Sequence, residues 1–199
     1  MSQDWITIVS GLPRSGTSMM MRMVVAAGTP VLTDALRPAD EDNPHGYFEF
    51  EPVKRTRQDP SWLDQARGRV VKMVHLLLLD LPHGHDYRVI MMHRDLDEVI
   101  ASQAKMLARF GRAGAPAEML RRVYTAQLQQ VKARLATHPR LESIEVGYSE
   151  VLRDPAGQSA RVAGFLGVAG GAAAMAGAVD RSLYRNRIAT VREPRISDQ

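Results

Sequence analysis

The eight residues Gly11-Leu12-Pro13-Arg14-Ser15-Gly16-Thr17-Ser18 hold two glycines, one Arg and three hydroxyl side chains. A β-branched apolar run, Ile6 to Ser10, leads into them, and an apolar stretch from Thr17 to Ala27 leads away. A glycine loop between a strand and a helix turns backbone N–H groups and the positive helix end onto one anion, and phosphate suits that geometry. The nucleotide-hydrolase pattern is G-x-x-x-x-G-K-[ST], in which the lysine and the following hydroxyl serve a triphosphate and its Mg²⁺. Here Thr17 stands at the lysine position, and the cation is Arg14, inside the loop. Such a site suits a donor with less charge to neutralise.

The elements that must position this loop follow from periodicity and punctuation. Ile6 to Ser10 reads as a buried strand and Thr17 to Ala27 as a helix ending near Gly28. Thr29 to Phe50 is a long Pro-, Asp-, Asn- and Gly-rich connection, of the kind that is more often functional than idle. Glu51 to Gln65 reads as helical, broken near Pro60. Arg69 to His75 and Tyr87 to His93 are β-rich runs bounded by turn residues, strands two and three. Leu96, Val99, Ile100, Met106, Leu107 and Phe110 fall on one face of a helix over Asp95 to Phe110, and Ala117 to Ala136 is a further long helix. Leu141 to Val146 is a fourth strand. Pro155 to Leu166 is a helix with Asp154 as cap and Pro155 at the first helical position. Alternating strands and helices predict an α/β fold: one domain over 1–199 with a mainly parallel sheet flanked by helices, like the P-loop NTPases.

Residues 13–18 resemble the 5'-phosphosulfate loop, P-[KR]-S-G-T-[ST], of the sulfotransferases that use 3'-phosphoadenosine 5'-phosphosulfate; Pro13, Arg14, Ser15, Gly16, Thr17 and Ser18 match it throughout. Two further motifs follow in order. Strand three leads to Arg94, with Ser102 eight residues later in R-D-L-D-E-V-I-A-S, like the family's Arg and Ser that hold the 3'-phosphate. A strand running to Tyr148, then Glu150, Asp154-Pro155 and Phe165-Leu166-Gly167, is similar to the family segment whose Tyr lies near the adenine. The resemblance covers about two-thirds of the chain and implies sulfuryl transfer from that donor, without a metal, to a hydroxyl or amine of a small-molecule or peptide acceptor.

Sulfuryl transfer needs a group to take the acceptor's proton and cations to offset charge on the leaving phosphate oxygen. The resemblance puts Arg14 in the second role; Arg stabilises charge by hydrogen bonding but stays protonated, so it is a poor proton donor. For the base it offers Asp34, on the connection after the first helix where several relatives carry a glutamate. The alternative is Glu49 in Gly46-Tyr47-Phe48-Glu49, a segment similar to one in bacterial members. Animal cytosolic members carry a His in K-T-H after strand two. Here Lys72-Met73-Val74-His75 has it one place late, which on a strand turns it to the opposite face, while Lys72 keeps the matching position beside the sulfuryl group or substrate.

Composition bounds the alternatives. The chain has 45% hydrophobic and 24% charged residues and no cysteine, which excludes disulfide scaffolds, thiolate metal sites and Cys nucleophiles. Its 26 Lys+Arg against 22 Asp+Glu give +4, mixed along the chain rather than clustered, which speaks against nucleic acid. His83-Gly84-His85 lacks carboxylates at ligand spacing, so no metal site is expected. The uncharged run Val162 to Val179 is mostly Gly and Ala and reads as a helix end, a turn and a small helix rather than a membrane span. With Asp4 where a signal peptide needs positive charge, the expected location is the cytoplasm. Residues 181–199 form a basic segment, either a solvated tail or a flap over an anionic ligand. Two other readings remain: a P-loop kinase-like phosphotransferase, with Leu76 to Leu79 as a strand ending in a Mg²⁺-holding Asp80, and a non-catalytic module binding adenosine 3',5'-bisphosphate. Oligomeric state is not legible.

Overall fold

The computed structural model describes residues 4–34, 36 and 46–183. Four strands, β1 (Ile6–Gly11), β2 (Val70–Val74), β3 (Tyr87–His93) and β4 (Leu141–Gly147), form one sheet in the order β2-β1-β3-β4. Every pairing is parallel, with Val9 opposite Lys72 on one side and Ile90 on the other. The helices are α1 (Thr17–Ala26), α2 (Trp62–Gln65), α3 (Leu96–Arg109), α4 (Ala117–Thr137), α5 (Tyr148–Arg153), α6 (Pro155–Leu166) and α7 (Ala172–Gly177).

Both faces are buried across β2, β1 and β3, while β4 exposes Glu142, Ser143 and Glu145, and side-chain alternation assigns residues to each face. Val9, Val70, Ile90 and Met92 pack with α1, α5, α6 and α7, where Met20, Val151, Val162 and Met175 are fully buried. Ile6, Ile8, Val71, Met73, Val89 and Met91 point the other way, into a cluster with Trp62, Leu63, Leu78 and Val131. Burial of this kind contributes about 25 cal/mol per Å² of apolar surface, and it fixes strand register because a one-residue slip would reverse every side chain. Leu12, Val99, Ile100 and Tyr124 close a third cluster beneath the glycine loop.

The chain leaves β1 for β2 on one side and returns to β3 on the other, so β1 and β3 are neighbours whose connections run in opposite directions. In open α/β sheets that switch point, outside the carboxyl ends of the strands, is a crevice. The glycine loop after β1 and Arg94 after β3 both lie there.

Several local expectations differ from the structure. Glu51 to Gln65 is no continuous helix: a 3₁₀ segment, Glu51–Arg55, starts on Pro52, and only the four-residue α2 follows Pro60. His75–Asp80 is a 3₁₀ segment too, so the Leu76 to Asp80 strand required by the kinase-like reading does not form. β4 ends at Gly147 and Tyr148 opens α5, placing the ring at a strand-to-helix junction rather than on the strand. The segment after Val162 is as read: α6 ends on Gly167 in the left-handed region (φ 73°), followed by a 3₁₀ turn and α7. Among the described residues no helix is long and apolar enough to cross a membrane. Of the basic segment, Arg185, Arg187, Arg192 and Arg195 lie outside the described residues.

Candidate functional site

A cavity of about 330 Å³ opens at the switch point. The whole turn from Gly11 to Ser18 except Ser15 lines it, together with Lys72, Arg94, Glu49 and Tyr148. Four elements thus converge: the loop and start of α1, the end of β2, the end of β3, and the β4–α5 junction.

The loop is built for close approach. Gly16 has φ 100°, a conformation L side chains rarely adopt, and a Cβ there would overlap the Tyr148 ring. Arg14 holds φ 70° without being glycine, a conformation costing about 1–2 kcal/mol that places its backbone carbonyl beside β3. That carbonyl accepts a hydrogen bond from the Arg94 guanidinium at 3.1 Å, and Arg14 Nε donates to the Ser102 hydroxyl at 3.0 Å. Ser15 is 1% exposed and does not line the cavity, and among the described residues its hydroxyl has no hydrogen-bond partner.

Arg94 is held on three sides. Its Nε donates to Glu98 at 2.9 Å in an ion pair whose side chains are 9% and 8% exposed, and its guanidinium lies 4.6 Å from the centre of the Tyr148 ring. The neighbouring acids are engaged elsewhere: Asp95 caps α3, accepting from the backbone amides of Asp97 and Glu98, while Asp97 pairs with Arg121. Ser102 is 3% exposed. Tyr148 is buried, and burial pushes its phenol pKa up, which keeps it a neutral donor.

Lys72 lies on the face of β2 that looks toward α1. Its ammonium donates to the Tyr47 carbonyl at 2.7 Å and to the Ser18 hydroxyl at 3.3 Å, so one cation ties the 46–50 segment to the first turn of α1. The two candidate bases are placed differently. Glu49 lines the cavity. Asp34 does not; its carboxylate accepts from the Glu51 amide at 2.6 Å and the Leu36 amide at 3.0 Å, and these bonds, Glu51's first, pull its pKa below the usual carboxylate value. His75 points to the opposite face, where its Nε2 meets the Gln127 side-chain oxygen at 3.0 Å, and burial lowers its pKa. Val74, at the place the K-T-H histidine would occupy, lines the cavity and is 44% exposed.

Two cavity residues escape a motif-based reading. Arg22 is the one cation in the apolar stretch Met19 to Val25, four residues after Ser18, and that isolation was the available signal. Asp180 arrives from the far end of the chain, and no local pattern marks it. Among the described residues no three His, Asp or Glu side chains cluster so as to hold a metal ion.

The family model described as the sulfotransferase family matches residues 47–170, more than half of the chain, a span holding Glu49, Lys72, Arg94, Ser102 and Tyr148. Among solved structures, a sulfotransferase domain from the curacin biosynthetic pathway superposes with a TM-score of 0.51 at 17% identity, over 82% of this chain and 74% of that one. At that identity the likeness concerns the fold, a parallel sheet of the P-loop NTPase type. No curated protein matches the chain.

Proposed function

Since the chain belongs to the sulfotransferase family, we propose that it transfers a sulfuryl group from 3'-phosphoadenosine 5'-phosphosulfate to a hydroxyl or amine of a small-molecule or peptide acceptor. The observation that carries this reading is the convergence, in one cavity, of the glycine loop with its Arg14, of Lys72 and Arg94, and of the carboxylate Glu49.

The residues present fit such a donor. The loop amides and the N-terminus of α1 would hold the 5'-phosphosulfate. Arg94 and Ser102 would hold the 3'-phosphate: charge-assisted contacts of this kind contribute about 1.5–3 kcal/mol each where the donor group is ionised. Tyr148 supplies the aromatic wall for the nucleoside. Glu49 takes the proton of the attacking hydroxyl or amine. As the acceptor's bond to sulfur forms, the bond from sulfur to the phosphate oxygen breaks, and Arg14 and Lys72 stabilise the negative charge left on that oxygen. Glu49 is preferred to Asp34 as base because its side chain lines the cavity, whereas both oxygens of Asp34 already accept backbone amides.

Calorimetry and labelled-donor transfer test this reading together. Adenosine 3',5'-bisphosphate should bind more tightly than ATP and equally well with EDTA present, and label should pass to at least one member of a panel of phenols, alcohols, sugars and amines. Preferential, Mg²⁺-dependent ATP binding would return the kinase-like reading. Tight bisphosphate binding with no transfer to any acceptor class would favour the non-catalytic module.

A further inference from the structure

The cavity has an end that the transfer chemistry leaves unused. Arg22 lies on α1 four residues beyond Ser18, on the same helix face and about 6 Å further along the axis. It lines the cavity, and its Nε is buried with no hydrogen-bond partner among the described residues. Asp180, from the segment after α7, lines the same cavity close enough for its charge to act on Arg22, and both also wall the adjoining recess formed by residues 177–181. Tyr148 borders this end, with its ring against Gly16. A phosphate would be a poor occupant beside Asp180, since the carboxylate repels anions. A guanidinium and a carboxylate that line the same recess offer instead a donor and an acceptor near an aromatic wall.

We propose that Arg22 and Asp180 read the edge of the donor's purine, Asp180 accepting from the exocyclic 6-amino group and Arg22 donating to the adjacent ring nitrogen. The proposal rests on the donor reading above: phosphates on the glycine loop direct the nucleoside along α1 toward these residues. Adenine presents an amino donor beside a ring-nitrogen acceptor, and side chains discriminate bases by matching that pattern. A 6-oxo purine sets an acceptor against the carboxylate of Asp180, so the pair also repels the wrong base.

The test compares adenosine 3',5'-bisphosphate with inosine 3',5'-bisphosphate, which differs by the 6-oxo group, in calorimetry on the full chain and on Asp180→Asn. The intact protein should favour the adenosine ligand by roughly tenfold or more, and Asp180→Asn, whose amide can donate to a 6-oxo group, should narrow the gap to about threefold. Equal binding of the two ligands by the intact protein, or an undiminished gap in Asp180→Asn, overturns the base-reading role while leaving the donor reading standing. Failure of both ligands to bind overturns the donor reading itself, and this inference with it.

Discussion

Arg14 donates its Nε to the hydroxyl of Ser102 across 88 positions of sequence, at 3.0 Å. The bond joins the glycine loop after β1 to the helix after β3, the two segments that flank the switch point of the sheet. Arg94 reinforces the junction by donating to the Arg14 carbonyl. The loop that would hold one phosphate and the pair that would hold the other therefore form one hydrogen-bonded unit, and a change at either reaches its partner.

Arg94 illustrates the consequence. Arg94→Ala would take from the buried Glu98 carboxylate its Arg94 ion pair, and breaking a buried pair from one side costs about 3–5 kcal/mol. Loss of ligand binding in that variant alone would be ambiguous. The double variant Arg94→Ala/Glu98→Ala removes both charges and should fold; in it, adenosine 3',5'-bisphosphate should bind roughly 10- to 100-fold more weakly, with AMP nearly unaffected. Equal losses for both nucleotides, measured by calorimetry, would make Arg94 a structural residue with no part in reading the 3'-phosphate.

The two carboxylates of the 34–49 region should separate chemistry from stability. Glu49→Gln keeps shape and should lower single-turnover transfer by roughly 10² to 10⁴ at saturating donor, with donor affinity unchanged. Asp34→Asn puts an amide hydrogen where the Glu51 or Leu36 amide now donates, and should cost about 1 kcal/mol in urea unfolding with transfer largely retained. The opposite pattern, a dead Asp34→Asn and an active Glu49→Gln, would move the base to Asp34.

Stability should fall on mild acidification. Burial lowers the pKa of His75, and of His85 and His138, which also lie near Arg67 and Arg134 respectively. For a base with a lowered folded pKa, the unfolded chain binds more protons at intermediate pH, so stability rises with pH there. The contribution is complete above the unfolded value of about 6.5 and is lost as pH falls from there toward the lower folded values. Urea midpoints at pH 7.5, 6.5 and 5.5 should decrease in that order. A flat or rising series would mean that these rings are not held neutral by the fold.

Local chemistry in the sequence was enough to fix the loop, the four strands and most helices, because each is written in adjacent residues: β-branched runs for a sheet buried on both faces, Asp154-Pro155 for a helix start, Gly16 where only glycine fits. Motif spacing likewise singled out Arg94 and Ser102, both of which hydrogen-bond to Arg14 in the fold. The orientation of side chains toward a shared space depended on packing between distant segments, and there the sequence was silent. It placed Asp34 and Glu49 on one connection, and only the fold turned one toward backbone amides and the other into the cavity. It named no protein partner for Arg94, which the fold buries in an ion pair with Glu98. Arg22 and Asp180 lie 158 positions apart, and they reach one cavity because α7, which leads toward Asp180, packs on α1 with Met175 and Val24 in one buried cluster, a contact encoded in no short stretch of chain.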